Sequence, residues 1–338
     1  MLLRTVFALS LIAITAHELH AASPTVDSIR KAGALTCGID QSEAEFSMTD
    51  EHGSRVAFDH DLCQAVAAAI LGKPARVIDK GYPDEETALE ALRKKEVDMV
   101  ASVSDDFSHS TLANIGLSRP VLFDGESFLV SRGSGVKRAS SLSGRKICFL
   151  AETETELNLR SWFEQRRLDF VPFPFQEEGE MEAAYVTANC AALAGDLTRL
   201  ANTRVAFGHR AKDYTFLPEV IARDPLASAC RRDDPAFGNI VDWTINVLLL
   251  AEELGVTAQN AGAISRHNAA TGKLLDEAHV LERPLGLDDG WTLRVIESVG
   301  NYGELFRRDL GEDSALKLPR GQNALWSHGG LMQGLPLK

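Results

Sequence analysis

Short apolar stretches alternate with helix-period stretches along almost the whole chain, and this alternation constrains the fold more than any other feature. Residues 34–37 read as a strand. The helix that follows carries Leu62, Ala65, Val66, Ala69 and Ile70 on one face and stops at Gly72, a residue suited to the left-handed turn that ends helices. Residues 75–78 form the next strand, and Pro83 opens a helix running to Lys95. Asp84, Glu85 and Glu86 fill its first turn and Arg93, Lys94 and Lys95 its last, as the helix dipole prefers. A third strand is expected at 97–101. Strands and helices in this order imply a parallel sheet with helices on both faces. The pattern restarts after Gly133-Ser134-Gly135, with strands at 146–150, 169–171 and 190–194 and helices at 154–165 and near 180–187. Two similar α/β lobes are therefore expected, joined near residues 127–132. A long helix, 237–253, repeats Ile240, Trp243, Val247 and Leu250 at helical spacing and ends at Gly255.

Residues 1–22 set the compartment. Arg4 supplies a positive charge, a dozen mostly apolar residues follow, and the stretch closes on Ala21-Ala22, the pattern of a secretory signal peptide. The apolar run is shorter than the ~20 residues a membrane span needs, and no other stretch approaches that length. No cysteine lies near the cleavage point to carry a lipid. The mature chain, near residues 23–338, is long enough for two domains. Its formal charge of −13, with no Lys/Arg cluster, argues against nucleic acid and anionic membrane surfaces as partners. A periplasmic, monomeric protein is expected.

In an oxidising compartment an even subset of the five cysteines is expected to pair. Four cysteines allow three connectivities, and coarse structure favours one. Cys37 lies in the first strand and Cys63 at the start of the helix packed on it; Cys148 lies in the strand 146–150 and Cys190 opens the strand 190–194. The expected pairs are Cys37–Cys63 and Cys148–Cys190, with Cys230 free.

Several longer strings carry a resemblance. Asn301-Tyr-Gly-Glu-Leu-Phe306, Pro319-Arg-Gly-Gln-Asn-Ala-Leu-Trp326-Ser-His-Gly-Gly-Leu331, Asp59-His-Asp-Leu-Cys63 and Ala251-Glu-Glu-Leu-Gly-Val256 are similar to stretches of periplasmic general L-amino-acid-binding proteins of ABC importers. The likeness spans essentially the whole mature chain, and the four paired cysteines fall where that family has cysteines. The resemblance implies a two-lobed periplasmic binding protein fold of type II, the chain crossing twice between lobes and the ligand lying in the cleft. Lobe one is expected at 23–128 and 228–338, lobe two at 133–222, and the hinges near 129–132 and 223–227. The implied function is capture of a small amino-acid-like or amine ligand and its delivery to an ABC permease in the inner membrane; a ligand sensor or accessory to another periplasmic partner is the second reading.

Carried over residue by residue, the family's site fits this chain unevenly. Asp196, following Ala192-Leu-Ala-Gly195, stands where the family places the partner of the ligand ammonium, and could alternatively cap the next helix. The family's Thr-Gly-Thr-Thr-x-Glu run reads Ala151-Glu-Thr-Glu-Thr-Glu156 here. Thr153 and Thr155 are expected to face the ligand, with Thr153 and Glu156 forming a capping box. Glu152 and Glu154 would repel an anionic ligand group unless they point to solvent. The family's arginine clamp is replaced: Ser102 and His109 occupy its positions, with Ser104 between them, and no arginine occurs between Arg93 and Arg119. Asp105 and Asp106 add negative charge, and neutral imidazole does not replace a bidentate cation. Phe46 and Phe107 are expected either to line the cleft or to join the core. The ligand implied has an amine and a weak or absent carboxylate. No Gly-x-Ser-x-Gly, phosphate loop or His/Cys metal spacing occurs, so no catalytic residue, cofactor or metal is expected. Exported dehydratases of similar fold need the anion clamp that this chain lacks.

Overall fold

The computed structural model describes residues 23–40, 48–49, 55–56, 58–112, 114–187, 189–264, 268–276 and 284–337. The export segment 1–22 and Phe46 lie outside the described residues. Helix α1 (Pro24–Ala32) starts on Ser23, whose hydroxyl accepts from Val26 N and donates to Asp234. Strand β1 (Leu35–Asp40) follows, then a short hairpin of β2 (Met48–Thr49) and β3 (Arg55–Val56). Helix α2 (Phe58–Leu71), β4 (Val77–Tyr82), α3 (Glu85–Arg93) and β5 (Met99–Ser104) continue the strand–helix alternation. After the single turn α4 (Phe107–Thr111), β6 (Ile115–Asp124) leads out of this unit and β12 (Asp224–Arg231) leads back in. The first sheet has the order β4-β1-β5-β12-β6, the first three strands parallel and β12 antiparallel to both its neighbours.

The second sheet repeats the theme with β7 (Glu126–Ser131), β8 (Lys146–Leu150), β9 (Val171–Phe175), β10 (Ala192–Asp196) and β11 (Tyr214–Phe216), in the order β11-β7-β10-β8-β9. Helices α5 (Glu154–Gln165), α6 (Glu178–Val186) and α7 (Leu197–Ala206) pack on it. Phe128, Phe149 and Phe163 are fully enclosed in its core. The first unit is larger because the chain returns to it with α8 (Pro235–Glu253) and the helices Trp291–Val299 and Tyr302–Asp309. Trp291, Tyr302 and Phe237 are buried there. Tyr302 donates its hydroxyl hydrogen to Val121 O at 2.9 Å, and Asn323 bonds both Phe123 N (2.7 Å) and Phe123 O (2.9 Å), seating the C-terminal segment on β6.

Each unit holds one disulfide. Cys37–Cys63 joins β1 to α2 with Cα atoms 6.2 Å apart, and Cys148–Cys190 joins β8 to the approach to β10 with 5.8 Å. Cys230 is free and buried. The pairs close stretches of 26 and 42 residues, and loops of that size correspond to about 3–4 kcal/mol each on the chain-entropy estimate.

Strand β8 and helix α5 lie at the residues expected, whereas β4, β5, β9 and β10 start two residues later than the apolar runs suggest. Their C-terminal ends carry Lys80, Ser104 and Asp196, polar residues that interrupt the hydrophobic pattern without ending the strand. The crossings also differ from the expected hinges. Residues Glu126–Ser131 are hydrogen-bonded into the second sheet, so the outward crossing falls at Gly125 and not at 129–132. Asp224 already pairs with Asp124 in the first sheet and Leu217 N still donates to Phe128 O in the second, so the return falls at 218–223 and not at 223–227. The two crossing segments lie side by side: Glu126 N donates to Ala222 O at 3.2 Å, and Ile221 N to Glu126 O at 2.7 Å.

Only glycine fits at the outward crossing. Gly125 has φ of +154°, and a Cβ there would stand 2.4 Å from Ala222 O. Gly125→Ala should therefore cost on the order of 1–3 kcal/mol, seen as a lower denaturation midpoint. Gly179→Ala, within α6 and with open space around the added methyl, should be neutral or stabilising by about 0.5–1 kcal/mol. Equal midpoints for the two variants would contradict the close approach at the crossing.

Candidate functional site

Between the two sheets lies a cleft of about 510 Å³ whose walls come from both units and from the crossings. On one side are Ser104, at the end of β5, with Asp106 and Phe107 just beyond it. On the other, β8 and β10 end beside the starts of α5 and α7, bringing Thr153, Thr155 and Asn158 together with Asp196 and Arg199. Glu126 and Asp224 stand where the two crossing segments enter their sheets.

Glu126 is the most confined of these groups, 4% exposed. Its Oε1 accepts from Asn158 Nδ2 at 2.9 Å, while Oε2 is closed off from solvent with no donor in hydrogen-bonding geometry. Burial pushes its carboxyl up to about 7; Asn158 and, more weakly, the nearby Thr155 hydroxyl pull the other way, and the Asp196 and Glu154 carboxylates add to the rise. Burial also raises Asp196, against the pull of Arg199, whose Nε lies 4.0 Å from Asp196 Oδ2. Asp224 is pushed up to about 6 by burial and then by the carboxylates of Asp196 and Glu85, with a hydrogen bond from Ser104 opposing. Five carboxylates, on Asp106, Glu126, Glu154, Asp196 and Asp224, line the cleft against two guanidinium groups, on Arg199 and Arg223.

Of the residues expected from sequence, Asp196, Thr153, Thr155, Ser104 and Phe107 line the cleft. Asp196 occupies the N-cap position of α7, but its side chain makes no capping hydrogen bond, which leaves the carboxylate facing the cleft and Arg199. Ser102 lies off the cleft because its hydroxyl donates to Asp59 Oδ1 at 2.7 Å, on the α2 side of the sheet. His109 also lies off it, its ring held between Glu85 (3.0 Å) and Asp106 (3.1 Å). The capping box at α5 does not form. Thr153 Oγ1 donates back to Leu150 O at 2.8 Å, and Glu156 accepts from Glu152 N at 3.4 Å. Glu152, where the family has glycine, adopts a φ of +61° and is exposed, whereas Glu154 reaches the cleft.

Glu126, Arg199 and Asp224 were not legible as site residues. The signal that could have exposed Glu126 is a lone carboxylate between Gly125 and the apolar run Phe128–Val130. Arg119, the next arginine after Arg93, is engaged by Asp242 at 2.6 Å, outside the cleft. Positive charge enters instead from Arg199 in α7 and Arg223 in the return crossing.

A family model described as bacterial extracellular solute-binding proteins, family 3, matches residues 35–259. The chain is similar to YhdW of Escherichia coli (strain K12), named a putative amino-acid ABC transporter-binding protein, with 34% identity covering 100% of this chain and 99% of that one. It is also similar to AapJ of Rhizobium johnstonii, a general L-amino acid-binding periplasmic protein, with 33% identity over 94% of each. Among solved structures, an ABC transporter periplasmic binding protein from Brucella ovis with glutathione bound is 33% identical, covers 92% of this chain and 98% of its own, and superposes with a TM-score of 0.78. A substrate-binding domain from Streptococcus pneumoniae, 15% identical with a TM-score of 0.53, shares the fold alone.

The raised Glu126 carboxyl makes a prediction about stability. The folded chain holds this proton more tightly than the unfolded one, so its contribution favours folding at low pH and is lost as pH rises from 4.5 through about 7. Glu126→Gln should therefore stabilise the ligand-free protein at pH 8, by up to ~3 kcal/mol at about 1.4 kcal/mol per pK unit, and change it little at pH 4. An unchanged midpoint at pH 8 would show that the carboxylate is already compensated.

Proposed function

The chain belongs to the bacterial extracellular solute-binding proteins, family 3, and on that premise we propose that its cleft captures a small amine-bearing solute, amino-acid-like or a plain amine, for delivery to an ABC permease. The observation that carries the ligand reading is Glu126, a residue of the cleft lining whose enclosed Oε2 has no donor in hydrogen-bonding geometry. A ligand ammonium supplies that donor. The resulting charge-assisted hydrogen bond replaces a buried, uncompensated anion, which is where binding free energy is largest. Asp196 and the hydroxyls of Thr153 and Thr155 lie along the same wall to receive further N–H groups.

The relatives' names point to amino acids and, in one structure, to glutathione. This cleft differs in charge from what a dicarboxylate requires. Glu154 and Asp196 flank the helix starts that would otherwise attract a carboxylate, and Asp106 faces them from the first unit. The family is one of solute-binding proteins and the named relatives are ABC transporter or amino-acid-binding proteins, which supports reading the cleft as a binding site. Closure proceeds by bending at the paired crossings, since Glu126 and Ala222 belong to both the pivot and the rim of the cleft. Residues 1–22 export the chain to the periplasm, where it acts as a monomer.

Calorimetric titration of the mature, ligand-stripped protein tests this. Amines and amino acids with a basic side chain should bind, and Glu126→Gln should weaken them at least tenfold. Amine affinity should also fall as pH drops below about 7, where Glu126 takes up its proton, and further below about 6, where Asp224 does. Low-micromolar binding of glutamate, aspartate or glutathione, unaffected by Glu126→Gln, would refute the reading.

A further inference from the structure

We propose that the solute is a small aliphatic diamine without a carboxylate, one ammonium against Glu126 and the other against Asp224. This deepens the amine reading above and rests on it. The two carboxylates lie on different strands of the pivot: Glu126 opens β7 in the second sheet and Asp224 opens β12 in the first. Asp224 pairs with Asp124, and Glu126 bonds Ala222, so the two acids sit diagonally across the crossings and line one cleft. Glu126 is enclosed with one oxygen lacking a donor, and Asp224 is half-buried with only a serine hydroxyl, that of Ser104, opposing its loss of charge stability.

A ligand with one ammonium satisfies only one of these sites. The remaining carboxylate would then be further shut from water as the lobes close, with Asp196, Glu85 and Asp106 all repelling it. Asp196 does not fill the gap, because Arg199 stands at ion-pairing distance from it. The same contact sets Asp196 in competition with an amino-acid carboxylate for Arg199. Burial raises both carboxyls, with Asp196 and Glu154 adding to Glu126 and with Asp196, Glu85 and Asp106 adding to Asp224, consistent with two sites that each await a cation. Phe107, on the rim, is 83% exposed and belongs to no hydrophobic cluster. Its apolar ring, together with Leu150, Met181 and Leu200 of the same lining, suits the methylene chain between two ammonium groups.

The experiment is calorimetry on the mature protein at pH 8 with cadaverine, pentylamine, lysine and glutamate. Cadaverine should bind at least tenfold tighter than pentylamine, which has the same chain and one nitrogen fewer, and tighter than lysine. Asp224→Asn should reduce cadaverine to the affinity of pentylamine; since the wild-type comparison needs no variant, misfolding of Asp224→Asn would not obscure the result. Equal affinities for cadaverine and pentylamine would overturn the diamine while leaving the amine reading intact. Lysine binding more tightly than cadaverine, and weakened by Arg199→Ala, would overturn it in favour of an amino-acid zwitterion held by Arg199. Glutamate binding with neither amine bound would overturn both this inference and the amine reading.

Discussion

Two antiparallel crossings held by a pair of backbone hydrogen bonds, between Glu126 and residues 221–222, are what the rest of the molecule is arranged around. They join two sheets of similar design and leave a cleft between their strand ends. In open α/β sheets the C-terminal ends of parallel strands, with helix starts beside them, are where ligand groups gather. Here two such ends face each other, so the site is assembled from both lobes and completed by the pivot itself. The space constraint at Gly125 makes that pivot narrow: there is room for two backbones and no side chain between them.

The cleft is organised at some expense to the fold. Buried carboxylates without partners lower stability, and the cost is largest when they are ionised. Glu126 and Asp224 could be neutral amides with no steric penalty, yet both are acids in a site where Arg199 and Arg223 only partly balance the charge. The compensation lies elsewhere: in the large core of the first lobe around Trp291, Phe237 and Tyr302, and in the aromatic core of the second around Phe163. Local disagreement with good packing at a ligand-facing cleft, against consistency everywhere else, is the pattern expected of functional sites.

The architecture was legible because hydrophobic periodicity is a property of the core. Strand β8 and helix α5, both packed on the second core, fall at the residues the pattern marks. Strand ends were not legible where they turn toward the cleft, since Ser104 and Asp196 break the apolar run while the backbone ladder continues. Asp196 could be singled out because the family resemblance places an acid there, at the end of a recognisable strand. Glu126 and Asp224 could not, because their role arises from two segments about a hundred positions apart lying side by side, which no local spacing records. Ser102 and His109 show the reverse failure: alignment placed them at ligand positions, but Asp59 and the pair Glu85 and Asp106 hold them elsewhere. At α5 the capping pattern was present in sequence, yet Thr153 donates its hydroxyl hydrogen backward to Leu150 and Glu156 bonds one residue beyond its usual target.

The disulfides link first cysteine to second and third to fourth, and neither spans the crossings. A chain delivered N-terminus first into an oxidising compartment can therefore close each bond from one uninterrupted stretch of newly emerged residues. The first lobe, by contrast, waits for its C-terminal half to arrive before its core is complete. The fifth cysteine, Cys230, emerges only after both bonds have had the chance to form, and folding then buries it out of reach of exchange.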